Sequence, residues 1–253
     1  MDRTAHLSAR LHRLAVAFAC AIFAVALAIG IGTGTASAAQ KLTVLGAAAP
    51  ATPSCPDNCQ AIGKTTGFQT SIGKIKSPFV APETGRLVAW SIKLGAPTQK
   101  QQEFFVDFFG GAPQARISVL KPINKQIRLG RQLYKLKSQG PVEDLMPFLG
   151  TTTTFTLQQP LVVRAGQVVA LTVPTWAPAF AVNLPSNTAW RASRKQTKCT
   201  NADDIKLGSS HQLAGQDRLY GCVYKTARLL FSASIVADPA AVKPKPPTKK
   251  PAS

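Results

Sequence analysis

The side chains best suited to bind a ligand are two tryptophans and three nearby cations in the C-terminal half of the chain. One tryptophan lies in an irregular, proline-rich segment, and the other is followed closely by the cations. An exposed indole offers a flat apolar face on which a sugar ring can stack, and the cations would bind anionic groups. Either tryptophan could instead be a core residue. The candidate ligand-binding residues are therefore Trp176, Trp190, Arg191, Arg194 and Lys195.

No arrangement of catalytic residues is recognised in the sequence. His211 is the one histidine beyond residue 39, and Ser209 and Ser210 beside it lack the G-x-S-x-G context of a nucleophile elbow. The carboxylates are scattered, so no acid pair of a glycoside hydrolase is indicated. There is also no H-E-x-x-H motif and no phosphate-binding glycine loop. We expect no catalytic residue and no cofactor.

The cysteines favour disulfides over a metal site. Four of the five cysteines lie beyond the N-terminal segment, an even number in a chain with an apparent export signal. Of the three pairings open to them, Cys55–Cys59 and Cys199–Cys222 are favoured. A metal site that uses these thiols with His211 is the alternative, but C-x-x-x-C is not the spacing of a zinc ribbon, and exported thiols rarely stay reduced. We expect no metal.

Residues 1–39 are organised like a secretory signal peptide. Three arginines precede an apolar run over residues 14–31, and the run gives way to small residues that end in Ala36-Ser37-Ala38. This pattern predicts a secreted or cell-envelope protein. The alternative is an uncleaved single transmembrane helix, because 18 apolar residues could cross a membrane. Only through such a segment would the chain contact a membrane.

The chain beyond residue 39 is strongly basic. It holds 27 Lys and Arg against 10 Asp and Glu, a net charge of +17. This charge favours anionic partners such as wall polymers or acidic polysaccharide. Alternatively, the charge serves only solubility, because it is spread over many segments. No motif for specific nucleic-acid recognition is present.

Short alternating apolar runs indicate β-strands throughout. The clearest is Arg86 to Leu94, and a second stretch, Leu157 to Pro174, predicts a β-hairpin that turns at Ala165-Gly166. Four phenylalanines between Gln99 and Gly111 repeat at four-residue spacing, which favours a short amphipathic helix whose rings join the core. Lys135 and Lys137 alternate with apolar residues in a predicted strand. They either face an anionic ligand or lie on a strand edge, where lysines prevent aggregation between strands.

These elements predict one all-β domain, an antiparallel jelly-roll-like β-sandwich with at most one or two short helices. Residues 40–54 are interpreted as a flexible lead-in, residues 55–237 as the β-sandwich domain and residues 238–253 as a disordered Pro/Lys-rich tail.

The motifs PFVAPETGRLVAWSIKL, ARISVLKP, PLVVRAGQVVALTVP and ARLLFSASIV, after a signal peptide and a short Cys-Pro-x-x-Cys opening, resemble uncharacterised secreted single-domain β-proteins of high-GC Gram-positive bacteria. That resemblance implies a jelly-roll-like sandwich and no functional residues. The leading functional hypothesis is an exported, non-catalytic binding module for an anionic or carbohydrate polymer of the cell envelope or surroundings. The alternatives are a hydrolase that acts on such a polymer and a structural surface protein.

Overall fold

The structure is a computed structural model that describes residues 40–129, 132–207 and 211–239. The predicted signal peptide and all but the first residues of the predicted tail lie outside these residues. The strands are β1 (Leu42–Leu45), β2 (Ile62–Ile72), β3 (Ile75–Lys76), β4 (Gly85–Lys93), β5 (Gln114–Pro122), β6 (Leu133–Gln139), β7 (Glu143–Asp144), β8 (Thr152–Val163), β9 (Val168–Ala177), β10 (Phe180–Ala181), β11 (Ala189–Ala192), β12 (Asp217–Leu219), β13 (Cys222–Lys225), β14 (Arg228–Leu229) and β15 (Phe231–Ala237). The helices are α1 (Gln99–Phe109), α2 (Asn124–Arg128) and α3 (Ala202–Leu207), with 3-10 turns at Met146–Phe148 and Gln196–Lys198.

Two antiparallel sheets form a sandwich. The first has the order β1-β15-β4-β8, and the second has the order β12-β6-β5-β9-β2-β11-β13, with β3 on β2 and β7 on β5. When β1, β2, β4, β5, β6, β8, β9 and β15 are numbered 1 to 8 along the chain, the two sheets contain the orders 1-8-3-6 and 5-4-7-2. This is the strand order of a jelly roll. The predicted all-β, jelly-roll-like sandwich is confirmed.

Strand β4 shows how alternation and one bulge build the core. Leu87, Trp90 and Ile92 are fully buried, whereas Arg86 is exposed. A strict period of two would place Leu87 and Trp90 on opposite faces. The register against both neighbouring strands skips Val88, and this bulge brings Leu87 to the same face as Trp90.

Strand β9 lies at the centre of the second sheet and is buried on both faces. Its apolar residues join the main hydrophobic core. On its other face, the Thr172 hydroxyl lies 2.9 Å from that of Thr66 and 2.6 Å from that of Ser118. Gln212 covers this polar cluster, since its backbone N–H donates to the Thr66 hydroxyl at 3.1 Å. The described residues of the segment between β11 and β12, residues 193–207 and 211–216, which we call the lid segment, thus form a lid over part of the second sheet.

The predicted hairpin over Leu157–Pro174 is wrong, although both of its strands are present. Strand β8 pairs with β4 in the first sheet, whereas β9 pairs with β5 and β2 in the second. The connection over residues 164–167 therefore crosses from one sheet to the other. Gly166 has the positive φ expected of it, +79°. Strands that are neighbours in the chain of a jelly roll commonly belong to different sheets, so the local pattern could not show the pairing.

The prediction of a flexible lead-in over residues 40–54 is also wrong. Residues Leu42–Leu45 form β1, which pairs with β15 along its whole length. The following residues are fixed by hydrogen bonds: Arg228 donates to the carbonyl of Ala49 at 2.6 Å, and Lys93 donates to that of Ala51 at 2.9 Å. The segment is rich in small residues and proline, so the short run Leu42–Leu45 was not recognised as a strand.

The phenylalanine-rich segment forms helix α1, as predicted. A capping box starts it, in which the Thr98 hydroxyl accepts from the backbone of Gln101 and the Gln101 side chain accepts from that of Thr98. Phe105 and Phe109 are buried, but Phe104 is 58% exposed, so the rings join the core only in part. The described residues contain three α-helices rather than one or two, because short turns of five and six residues form in the polar connections.

Both predicted disulfides are present. Cys55 bonds to Cys59, and Cys199 bonds to Cys222. The second disulfide joins the start of the lid segment to β13. No helix among residues 40–129, 132–207 and 211–239 is long and apolar enough to span a membrane.

Candidate functional site

The structure does not place Trp176 on the surface. It is fully buried at the end of β9, where its register partner is Gly63 of β2. Its ring centroid lies 5.1 Å from that of Phe105, and its indole N–H donates to the carbonyl of Gly111 at 3.0 Å. The predicted sugar-stacking role of Trp176 is therefore wrong, because helix α1 covers the indole face.

Trp190 and Arg194 are brought together, but as buried residues. Trp190 is 3% exposed on β11 and stacks on Tyr224 with ring centroids 4.5 Å apart. Arg194 is 7% exposed, and its guanidinium donates to the carbonyl of Gly63 at 2.6 Å and to the Tyr224 hydroxyl at 3.3 Å. Neither residue forms an exposed sugar platform. Both line a small aromatic pocket beside α1.

The other two predicted ligand residues lie apart from this pocket. Arg191 is half-buried and donates to the carbonyl of Tyr220 at 2.9 Å. Burial lowers the pKa of Arg191 below its usual value. Lys195 is exposed at the start of a 3-10 turn. The five predicted residues thus do not form one binding surface.

A strongly basic cleft lies elsewhere, between the ends of β5 and β6 and the connection from β8 to β9. We call it the basic cleft, and it is defined by Lys121, Lys137 and Arg164. Its volume is about 730 Å³, and no Asp or Glu lines it. All three cations are exposed, and none forms an ion pair with a described residue. An anion entering this cleft would therefore meet uncompensated positive charge.

Three separate elements position these cations. Lys121 is the last residue but one of β5, and Lys137 lies on the neighbouring strand β6. Arg164 begins the connection between the sheets, where its backbone N–H donates to the Gln167 side chain at 2.9 Å. The Gly166 N–H then donates to the carbonyl of Ala81 at 2.9 Å and so fixes the connection to the segment before β4. The cleft therefore depends on the jelly-roll crossing.

A second cleft, the polar cleft, continues from the first. It is lined mainly by residues of the edge strand β8, has a volume of about 690 Å³ and meets the basic cleft at Leu161, which lines both. Its polar lining includes Thr154, Thr156, Gln158 and Gln159. We call the two clefts together the groove. Hydroxyl and amide groups of this kind exchange hydrogen bonds with sugar hydroxyls.

One buried hydroxyl in the basic cleft lacks a partner within the described part of the chain. The Ser138 side-chain oxygen is buried and forms no hydrogen bond there. A buried hydroxyl is normally hydrogen-bonded, so that of Ser138 is an exception among the residues that line this cleft. Glu143 is the one carboxylate that lines the polar cleft.

Sequence reasoning found only one residue of the basic cleft. Lys137 belongs to the predicted basic strand, but its neighbour Lys135 is neutralised by Asp217 at 3.4 Å. Strand β12 pairs with β6 over Leu133–Lys135, so Lys135 does not lie on a free strand edge, whereas Lys137 lies beyond this pairing. Lys121 and Arg164 were missed. Lys121 comes near Lys137 through the pairing of β5 with β6, and Arg164 comes near it through the crossing between the sheets.

Comparisons of this chain with protein-family models, with curated proteins and with solved structures found no match.

Proposed function

We propose that this protein is an exported, non-catalytic module that binds an anionic carbohydrate polymer, and that the polymer lies in the groove. The observation that carries the proposal is the basic cleft. Three exposed cations surround about 730 Å³ there, and no carboxylate lines it. The polar cleft beside it supplies hydroxyl and amide groups for the sugar units of the same polymer.

The charge of the whole chain supports an anionic ligand but does not locate it. With 27 Lys and Arg against 10 Asp and Glu beyond residue 39, any polyanion is attracted to much of the surface. Attraction of this diffuse kind is screened by salt within about 10 Å at 0.1 M ionic strength. A ligand held in the groove also makes hydrogen bonds at short range, which salt weakens less. Specific binding is therefore recognised by two properties: it depends on the groove residues, and it persists at higher salt.

The test compares two variants with equal change in charge. The groove variant carries Lys121→Gln, Lys137→Gln and Arg164→Gln. The control variant carries Lys74→Gln, Lys76→Gln and Lys195→Gln, which are exposed cations that do not line the groove. Residues 40–253 of each protein are titrated with polygalacturonate, neutral dextran and polyphosphate at about 50 mM and about 300 mM salt.

We expect the groove variant to bind polygalacturonate about tenfold or more weakly than the control variant, because three charge-assisted contacts are lost. The unmodified protein should bind polygalacturonate at both salt concentrations and more tightly than dextran. If both variants bind polygalacturonate equally weakly, binding is due to diffuse charge attraction, which would contradict the proposal. Preference for polyphosphate over polygalacturonate would contradict the carbohydrate part. Release of new reducing ends in the same incubation would show that the polymer is cleaved. It would then favour the alternative function, a hydrolase, over a binding module.

A further inference from the structure

A partly open aromatic pocket lies beside helix α1, apart from the residues that line the groove. Its volume is about 380 Å³, which is within the usual range for small-molecule sites. The rings that line it come from α1, β10, β11 and β13. They belong to Phe108, Phe109, Phe180, Trp190 and Tyr224. Such a pocket favours a flat apolar body of limited size rather than a polymer.

A buried guanidinium lines this apolar pocket without a counter-ion. Arg194 is 7% exposed, and no carboxylate of the described residues lies within 4.0 Å of it. Its two terminal nitrogens donate to a carbonyl and to a phenol hydroxyl, both neutral. Its Nε–H is buried and has no acceptor among the described residues. A buried charge normally requires an opposite charge, because desolvation costs several kcal/mol or more.

A second donor in the same pocket also lacks an acceptor. The indole nitrogen of Trp190, a residue that lines the pocket, is buried and forms no hydrogen bond with the described residues. Trp176, by contrast, donates its indole N–H to the carbonyl of Gly111. Two orphaned N–H groups and one uncompensated positive charge thus belong to residues that line one cavity. A ligand that carries negative charge would compensate the buried guanidinium of Arg194, which lines this pocket.

We propose that this pocket binds a small aromatic carboxylate, whose ring lies among the aromatic side chains and whose carboxylate accepts hydrogen bonds from Arg194. Asp and Glu are absent from the residues that line the pocket, and Lys225 at its margin adds further positive charge. This site is independent of the groove and of the polymer proposed to bind there.

The test uses three probes that share one body and differ in charge: 3-phenylpropionate, 3-phenylpropanamide and 3-phenylpropylamine. Each is titrated into residues 40–253 and followed through the indole N–H signals in ¹H–¹⁵N NMR. The protein has three tryptophans, so three indole signals are expected. Trp190→Phe assigns the signal of Trp190. Trp90 also has a buried, unpartnered indole N–H but lies in the core, so its signal serves as the internal control.

We expect 3-phenylpropionate to move the Trp190 signal and to leave the Trp90 signal in place. The amide should bind at least tenfold more weakly and the amine should not bind measurably, because each loses the charge-assisted contact with Arg194. Acetate should not bind, because it lacks the ring. Equal affinity for acid and amide, or binding of none of the three probes, would overturn the proposal.

Two variants separate loss of the site from loss of the fold. Arg194→Gln should weaken 3-phenylpropionate binding at least tenfold. The control is Arg228→Gln, which removes another buried guanidinium with an unpartnered Nε–H, from a different cavity. It should leave the affinity unchanged within about twofold. If Arg194→Gln does not fold, Ala227→Leu, which fills the same pocket, should abolish binding in a folded protein. Unchanged affinity in either pocket variant would contradict the proposal.

Discussion

Trp176 is a packing residue, and its substitution should cost stability rather than ligand affinity. The indole is fully buried and packs against Phe105 at 5.1 Å. Truncation of such a side chain leaves a cavity, so Trp176→Ala should lower the free energy of unfolding by about 3–5 kcal/mol. Urea denaturation followed by circular dichroism measures this loss.

Phe104 on the same helix provides the control for Trp176. It is 58% exposed, so Phe104→Ala should cost less than about 1 kcal/mol. Similar losses for the two variants would mean that α1 does not cover Trp176 as described. If Trp176→Ala kept its stability but bound polygalacturonate more weakly, the surface role predicted from the sequence would be restored.

His211 should make stability depend on pH near neutrality. Burial lowers the pKa of His211 below its usual 6.5, and the charges of Arg116, Arg218 and Lys64 lower that pKa further. The unfolded chain therefore binds this proton more readily than the folded protein does. The contribution of His211 to the free energy of unfolding is complete above pH 6.5 and decreases as the pH falls below 6.5. The decrease ends once the pH is below the pKa of the folded state.

The measurement for His211 is urea denaturation of residues 40–253 at about pH 7.5 and about pH 5.5. His211→Gln, which cannot take up the proton, should show a smaller loss of stability between the two values than the unmodified protein. His211 is the one histidine beyond residue 39, so its NMR titration gives the folded-state pKa directly. A folded-state pKa above 6.5 would reverse the sign and contradict the prediction.

At the scale of elements, the disulfide Cys199–Cys222 restrains the lid segment over the second sheet. It closes a loop with a sequence separation of 23, whereas Cys55–Cys59 closes one of only 4. A cross-link stabilises mainly by restricting the unfolded chain, and more so for longer loops. The double variant Cys199→Ala/Cys222→Ala should therefore lose about 3 kcal/mol, and Cys55→Ala/Cys59→Ala about 2 kcal/mol. Chemical denaturation of both variants tests the order, and a larger loss from the shorter loop would contradict it.

The strands could be predicted from the sequence, but their partners could not. Alternation in a single run, such as that around Leu171, is a local property of the backbone and side chains. The pairing of β8 with β4, rather than with β9, depends on contacts between residues far apart in the chain. For the same reason the burial of Trp176 was missed, since an element that precedes it by many residues, α1, covers it.

Of the candidate groove, only the positive charge could be predicted from the sequence. The excess of Lys and Arg indicates an anionic partner, and Lys137 is noticeable in its strand. Lys121 becomes a neighbour of Lys137 through the pairing of β5 with β6, and Arg164 does so because the chain passes from one sheet to the other at residues 164–167. The aromatic pocket was not predicted, although two of its residues, Trp190 and Arg194, were predicted to bind a ligand on the surface. Their burial depends on rings from α1 and β10, which local patterns do not reveal.

At the scale of the whole molecule, repulsion between cations should outweigh attraction between ion pairs. The described residues form surface pairs such as Lys41–Glu83 at 3.0 Å and Lys135–Asp217 at 3.4 Å. Exposed pairs of this kind contribute about 0–1 kcal/mol each. Against them stands a net charge of +17, from 27 Lys and Arg and 10 Asp and Glu beyond residue 39, which destabilises the compact state through self-repulsion.

Salt should therefore stabilise this protein. Thermal unfolding of residues 40–253 at pH 7 should show Tm rising as sodium chloride is increased from about 10 mM to about 300 mM, because the Debye length falls from about 30 Å to well below 10 Å. The variant Lys74→Gln/Lys76→Gln/Lys195→Gln, with three fewer positive charges, should start from a higher Tm and gain less from salt. A Tm that falls with added salt in the unmodified protein would show that ion pairs dominate its electrostatics. If the proposed polymer binds in the groove, it should raise Tm as well, because a ligand that binds only the folded protein stabilises it.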